Sequence, residues 1–481
     1  MAEQPVDAVV IGSGPNGLAA AIELAQNGAS VVVFEAHDQL GGGTRTGEVT
    51  LPGFQHDLCS ACHPMGILSP FFRSLPLHRH GLRWCQSDVS VAHPLDDSPA
   101  ARLVLDIDAT AEALGPDGAR YRRLVTPFVE RADELLNDAL APLGLPRSPL
   151  LMARFGLTAL RSCEQLAATF QSPRTRALLA GCAGHATQPL DNPLTAAMTL
   201  MFLVTAHVES WPVAEGGSWA ITKALASHLR SLGGSIHTST PITHLGQLPP
   251  TRVVVFDTSP DQLARLGASR LPARYLRRLS AYRYGPGSFK VDWALDGPIP
   301  WSDPTVADAA TVHLGGTFEE IAAGERAAFE GRHTDRPYVL LVQQSVLDPS
   351  RAPQGKHTGY AYCHVPANTD RDYTEIIEQQ VERFAPGFRD RILARHTMSP
   401  RQLYAYSRNY VGGAVTGGTA DMWQLFTRPV ARLDPYSTPD PRLFIGSAST
   451  PPGGGVHGMC GYHAARSALP ALRRLEPVKL G

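Results

Sequence analysis

The stretch Val6-Asp7-Ala8-Val9-Val10-Ile11-Gly12-Ser13-Gly14-Pro15-Asn16-Gly17, followed by Leu18-Ala19-Ala20-Ala21-Ile22-Glu23-Leu24-Ala25, decides the fold. An apolar run, three glycines and a second apolar run with helical character read as strand, tight turn and helix. Gly12 allows the sharp turn, Gly14 lets backbone approach a diphosphate, and Gly17 lets the helix lie close to the strand. The helix N-terminus, from Pro15 and Asn16 onward, then turns free N–H groups toward an anion. Gly28 ends the helix, Ser30-Val31-Val32-Val33-Phe34 is a second buried strand, and Glu35 at its end, followed by Ala36, can hold ribose hydroxyls. All these parts within about 30 residues specify a dinucleotide-binding unit.

Six residues past the acid comes Gly41-Gly42-Gly43-Thr44. A nicotinamide dinucleotide fold does not need a second glycine cluster. Near the other end of the chain, Arg442-Leu443-Phe444-Ile445-Gly446 is a strand running into Ser447, Pro451-Pro452, Gly453-Gly454-Gly455-Val456-His457-Gly458 and a helix from Met459. That is a second glycine loop feeding a helix N-terminus, and one nucleotide end would not need two.

At 481 residues the chain has room for two or three domains. Lys+Arg total 43 against 44 Asp+Glu, so no basic face for nucleic acid is implied. The first apolar run is the nucleotide strand rather than a leader, and no apolar run approaches the ~18 residues of a membrane span, so the expected location is the cytoplasm. Seven scattered cysteines make no disulfide framework. Cys59-Ser60-Ala61-Cys62-His63 spells the haem-attachment string, but haem attachment goes with exported chains; buried packing is the expected role, a redox dithiol the alternative. The histidines show no metal spacing, and no metal is assigned.

Taken in order, Gln55–Leu58 leads into a helix-like segment ending near Pro64, and Val89–Ala92 and Arg102–Leu105 read as strands. Residues 119–210 read as mostly helical. Met152, Phe155, Ala159, Cys163, Leu166 and Phe170 form one helical stripe, expected to be core; Leu150, Leu151 and flanking arginines make a surface dipping into a lipid monolayer the alternative. Ala196–Ala206 is a second apolar helix that can roof a cavity. Ser218 is the expected N-cap of a helix to Leu232, followed by Gly233-Gly234, a strand over Ser235–Thr240, and the buried strand Arg252–Asp257. Phe289–Leu295, Tyr338–Ser345 and Thr358–Val365 predict a mixed sheet, and Asn409–Ala414 a loop whose glycines allow close approach.

Together GSGPNG with Glu35, the cluster at 41–43, the segment from Glu215 to Ile242 and the tail PPGGGVHGMCGYHAA resemble the phytoene desaturase and amine oxidase superfamily. The match is to its phytoene desaturase-related branch, which includes the pyridine nucleotide-disulfide oxidoreductase domain 2 proteins. The resemblance implies an α/β fold: a discontinuous Rossmann-like FAD-binding domain (1–75, 215–260, 425–481) and a second, α+β substrate domain with a mixed sheet and helical cap (76–214, 261–424). It implies noncovalent FAD held by Gly12–Gly17, Glu35, Ala36, Gly41–Thr44, the main chain at Ile242, and Gly446, Ser447, Gly454, Gly455, Val456 and His457. It further implies an oxidoreductase, a dehydrogenase or desaturase, that takes hydride from a largely apolar small molecule onto flavin N5. The alternatives are a flavin-dependent cis–trans isomerase of a polyene-like substrate and an interaction protein with structural flavin. Gly287-Ser288-Phe289-Lys290 resembles the strand on which amine oxidases carry a catalytic lysine, making Lys290, with His457, the catalytic candidates. Amine oxidases carry arginines where this chain has His37 and Gly43, and Ala414 stands where the branch commonly has an acid. The electron acceptor (quinone, oxygen or NAD), self-association and peripheral membrane contact are left open.

Overall fold

The computed structural model describes residues 4–480. Its first sheet has five parallel strands, ordered Leu443–Ile445, Thr251–Phe256, Val6–Ile11, Val31–Phe34 and Ser235–His237. Parallel pairing requires crossovers that bury both faces, which is why these strands read as continuous Val and Ile runs. Helices Pro15–Gln26, Trp219–Ser231 and Met459–Arg474 build the apolar layer on one face. Small residues let the first and last of them touch: a Cβ on Gly461 would stand 1.7 Å from the Asn16 carbonyl oxygen, and one on Gly458 would stand 3.0 Å from the Ala19 Cβ.

The second sheet has seven strands, ordered Ile392–Met398, Gly287–Leu295, His357–Val365, Val339–Val342, Thr311–Leu314, Val89–His93 and Ala101–Val104. It is antiparallel except where Thr311–Leu314 lies parallel to Val89–His93, and so is a mixed sheet. Alternation divides its faces. Phe289, Val291, Trp293, Ala361 and Cys363 pack with the helix Thr374–Phe384. The opposite face carries two cross-strand rows, Lys290–Tyr362–Leu340–His313 and Asp292–Tyr360–Val342–Thr311. It is turned toward the helices Pro173–Gly184 and Thr195–Val208.

Several local expectations are corrected. Residues 56–57 form a short strand paired with Thr46–Gly47, and the helix begins only at Pro64. The stripe from Met152 to Phe170 is two helices, Pro149–Ala159 and Cys163–Ala167, because the Ser162 side chain caps the second in a reciprocal box with Gln165. Ser218 precedes its helix but makes no cap bond; its hydroxyl donates to the Ser60 carbonyl instead. The strand after it stops at His237.

Backbone against backbone at Gly461 leaves no room for a methyl group. Gly461→Ala should therefore cost about 1–3 kcal/mol. Gly156→Ala, at a helical glycine with nothing within 4 Å of the added carbon, should be neutral or stabilise by up to about 1 kcal/mol. Urea unfolding of the two variants measures both, and equal effects would refute the close approach.

Candidate functional site

The glycine loop after the first strand is built around two carboxylates. Glu35 Oε2 accepts from the Ser13 N–H (3.0 Å) and hydroxyl (2.6 Å), and Oε1 from the His37 N–H (2.9 Å). Asp257, at the end of the neighbouring strand, accepts the Gly17 N–H at 2.9 Å. The N-terminus of the first helix thus meets a side-chain carboxyl where the sequence alone suggested only a bound anion. Burial pushes the Asp257 carboxyl up to about 7, against the pull of the Gly17 N–H. Near neutral pH it can therefore take up a proton.

The second glycine cluster lies on this loop: a Cβ on Gly42 would be 3.3 Å from Gly14 Cα. Gly41 N–H donates to Ser13 Oγ (3.2 Å), and the Thr44 hydroxyl to the Gly41 carbonyl (2.8 Å). Next to it stands Arg45, a residue the sequence reading missed. It reaches Glu35 at 3.2 Å, donates to the Gln39 carbonyl at 2.8 Å and lies over the Tyr406 ring. Its Nη1 is buried without a hydrogen-bond partner. A free guanidinium nitrogen beside two glycine turns is the donor set a diphosphate requires. It also supplies the cation that the sequence lacks at positions 37 and 43. The strand end at Glu35–His37 is covered by Ser239 and Thr240, whose N–H groups donate to the His37 and Glu35 carbonyls; half-buried Ile242 follows and packs in the cluster that includes Phe34. Ala36 is exposed beside them.

The final glycine loop comes to the same place. Gly446 has a Cβ direction pointing 2.6 Å from Ala464, Ser447 is hydrogen-bonded to Ser449, and Gly454 and Gly455 are exposed. Val456 holds φ of 55°, a left-handed conformation costly for a branched residue. His457 is buried; its Nδ1 accepts the Met459 N–H at 3.0 Å and its carbonyl takes the Ser69 hydroxyl at 2.6 Å. Burial lowers its pKa to about 4, opposed by the Gly453 and Gly454 backbone. The imidazole is therefore a neutral cap of the final helix.

Lys290 lies on the cap-facing side of the large sheet, buried, rather than on a solvated face. It is ion-paired to Asp292 and its Nζ lies 4.6 Å from the centroid of the Tyr360 ring. Burial would raise the Asp292 pKa, but Lys290, His396 and His56 together hold it below the usual range. His396 Nδ1 lies 3.2 Å from Asp292 on the adjacent strand and its side chain is 32% exposed. His56 approaches the same carboxylate at 3.8 Å and bonds Thr50 at 2.7 Å; burial lowers it to about 4. Cys59, Cys62, His185 and Tyr362 lie deep in the molecule yet keep part of their surface open, and so line an internal cavity. Burial raises both thiols, Cys62 to about 12, which leaves them protonated and poorly nucleophilic. His63, which completes the C-x-x-C-H string, is buried against Ser218 at 2.8 Å. His185 and His313 face each other with Nε2 atoms 3.1 Å apart, packed by Phe202 and Trp211.

A second residue hidden from sequence reading joins the parts. Arg351, fully buried, donates to Asp57 (2.9 Å), Asp348 (2.7 Å) and the Ala214 carbonyl (2.9 Å). Asp57 also accepts the Ser218 N–H (2.7 Å); burial would raise its pKa, but Arg351 and that N–H hold it down.

Comparison with known proteins agrees with this geometry. Residues 10–75 match the NAD(P)-binding Rossmann-like domain family. Over 98% of its length the chain is 26% identical to pyridine nucleotide-disulfide oxidoreductase domain-containing protein 2 of Rattus norvegicus, covering 94% of that protein. It is 25% identical to the phytoene dehydrogenase of Streptomyces griseus over 81% of this chain and 78% of that one. The structure of putrescine oxidase bound to putrescine superposes with a TM-score of 0.62 at 17% identity, covering 98% of this chain and 100% of that chain. In sequence the chain is thus homologous to that rat protein over nearly all of the residues given, and it shares its fold with putrescine oxidase.

Proposed function

We propose that this chain is an FAD-dependent oxidoreductase that removes hydride from a carbon centre of a neutral, largely apolar small molecule. The observation that carries the reading is the meeting of two glycine corners from opposite ends of the chain, with the unpartnered Arg45 Nη1 beside one of them. Gly12–Gly17, Gly41–Thr44 and Arg45 would hold the diphosphate, Glu35, Ala36 and Ile242 the adenosine end, and Gly446, Ser447 and Gly454–His457 the ring end. FAD, when bound, supplies a two-electron hydride acceptor.

The chain's own residues do the rest. Phe202 and Tyr362, which keep part of their surface open, present aromatic surface that orients an apolar substrate and excludes water, with Trp211 and Tyr360 buried in the same cluster. Lys290 holds a proton at Nζ against Asp292, and Asp292 also faces the half-exposed His396. That row gives a proton released at the substrate a route from the buried face to solvent. A cis–trans isomerase would need no such outlet.

Four outcomes test this. Purified protein should bind FAD and release it to the supernatant on acid precipitation; colourless protein that refuses FAD would overturn the reading. Arg45→Met should weaken FAD binding about 10- to 100-fold, read by flavin fluorescence titration, with circular dichroism unchanged. Under anaerobiosis a substrate should bleach the flavin stoichiometrically, whereas turnover without bleaching would favour the isomerase. Lys290→Met should slow that bleaching and, by leaving the buried Asp292 carboxylate with only His396 and His56 beside it, cost about 3–5 kcal/mol in urea unfolding, part of which Lys290→Met/Asp292→Asn restores.

A further inference from the structure

The helix Pro149–Ala159 packs one face inward through Leu151, Phe155 and Ala159 and leaves an equally apolar face outside. Leu150 is 84% exposed and Leu157 79%, on one face at helical spacing, and Leu160 follows at 59%. The loop before the helix adds Leu143 and Leu145, the latter fully exposed. No carboxylate occurs between Ala139 and Cys163, whereas Arg147, Arg154 and Arg161 do. Arg154 stands over the Phe128 ring and Arg161 donates to the Gln165 carbonyl, so these contacts pair neither guanidinium with a carboxylate. The nearest carboxylates, Glu134 and Asp138, lie on the preceding helix; Arg131 and Ser148 engage the first and the 147–148 backbone N–H groups the second.

We propose that this helix and its preceding loop form a docking surface for an anionic lipid bilayer, with the leucines entering the acyl boundary and the arginines at the phosphate level. Leucines flanked by unopposed arginines are the pattern of an interfacial helix. A second copy of the chain is the poorer occupant, because pairing this face with itself brings arginines against arginines. Among the described residues no helix is long and apolar enough to cross a membrane, so the contact is peripheral. The surface also has a place in the proposed chemistry. The docking helix packs on Thr195–Val208, the helix that carries Phe202 into the cavity, so a lipid-dissolved substrate would meet the protein one helix away from the aromatic cavity.

Vesicle flotation of the full chain tests the surface independently of any flavin. Vesicles of phosphatidylcholine with phosphatidylglycerol should carry the protein up, and added salt should weaken the association. Leu150→Glu/Leu157→Glu should reduce binding at least about tenfold, and Arg154→Gln/Arg161→Gln about fivefold per charge removed. Leu393→Glu, on an exposed position of the large sheet, should leave binding unchanged. Circular dichroism checks that each variant is folded, and the arginine pair keeps the test open should the glutamate pair fail to fold. No flotation of the wild type, equal flotation of the variants, or self-association abolished by the glutamates without any vesicle binding would each overturn the proposal.

Discussion

The architecture depends on the approach of two helix N-termini, backbone to backbone, where the Asn16 carbonyl lies against Gly461. A side chain at 461 would push the final helix off the first one, and the two glycine loops would no longer share a surface. Once those helices touch, the strands feeding them must lie in one parallel sheet, with Thr251–Phe256 between Leu443–Ile445 and Val6–Ile11. Parallel neighbours cannot be joined by short turns. The chain therefore leaves the sheet in long excursions, and these excursions build the mixed sheet and its helical cover. The binding surface and the cavity are thus consequences of one packing constraint.

A single buried guanidinium then fixes how the excursions sit. Taking Arg351, Asp57 and Asp348 out of water is costly, and their mutual attraction offsets that cost only because the remaining donors and acceptors are satisfied. The Ser218 N–H and the Thr46 hydroxyl on Asp57 and the Ala214 carbonyl on Arg351 do this. The result locks residues 46–57, 214–218 and 348–351 together. His56, next to Asp57 on the same short strand, is thereby brought to within 3.8 Å of Asp292. Structural and site electrostatics are adjacent residues on one segment.

What the sequence disclosed follows the range of the interactions involved. The strand, turn and helix at Val6–Ala25 and at Leu443–Arg474 are written in local periodicity and glycine spacing, so both were legible. The alternation Phe289–Leu295 announced a two-faced strand, whereas Lys290 in an apolar run left open a buried partner or a solvated face, and only the fold supplies Asp292 as the partner. Arg45, Asp257 and Arg351 were not legible, because each owes its role to a group that only folding brings near; Asp257 meets Gly17 across 240 positions. The helical stripe at 152–170 misled because its periodicity survives a break: the Ser162 cap interrupts the backbone while Phe155, Cys163 and Leu166 all remain buried. His457 was legible as a candidate at the start of the final helix, but that its Nδ1 accepts the Met459 N–H was not.

The charge state of the cavity bears on what can enter it. Burial holds His185 near 3 and His56 near 4, so at neutral pH neither carries charge. The acids on the cap-facing side of the sheet are already paired, Asp292 with Lys290 and Glu325 with His364. An ammonium-bearing substrate entering here would lose its hydration and find no free carboxylate, a penalty of several kcal/mol by general desolvation arguments. A neutral apolar molecule meets aromatic rings and loses nothing comparable. The pairing of Asp292 to Lys290 is thus the feature of this face that supports the proposed neutral substrate.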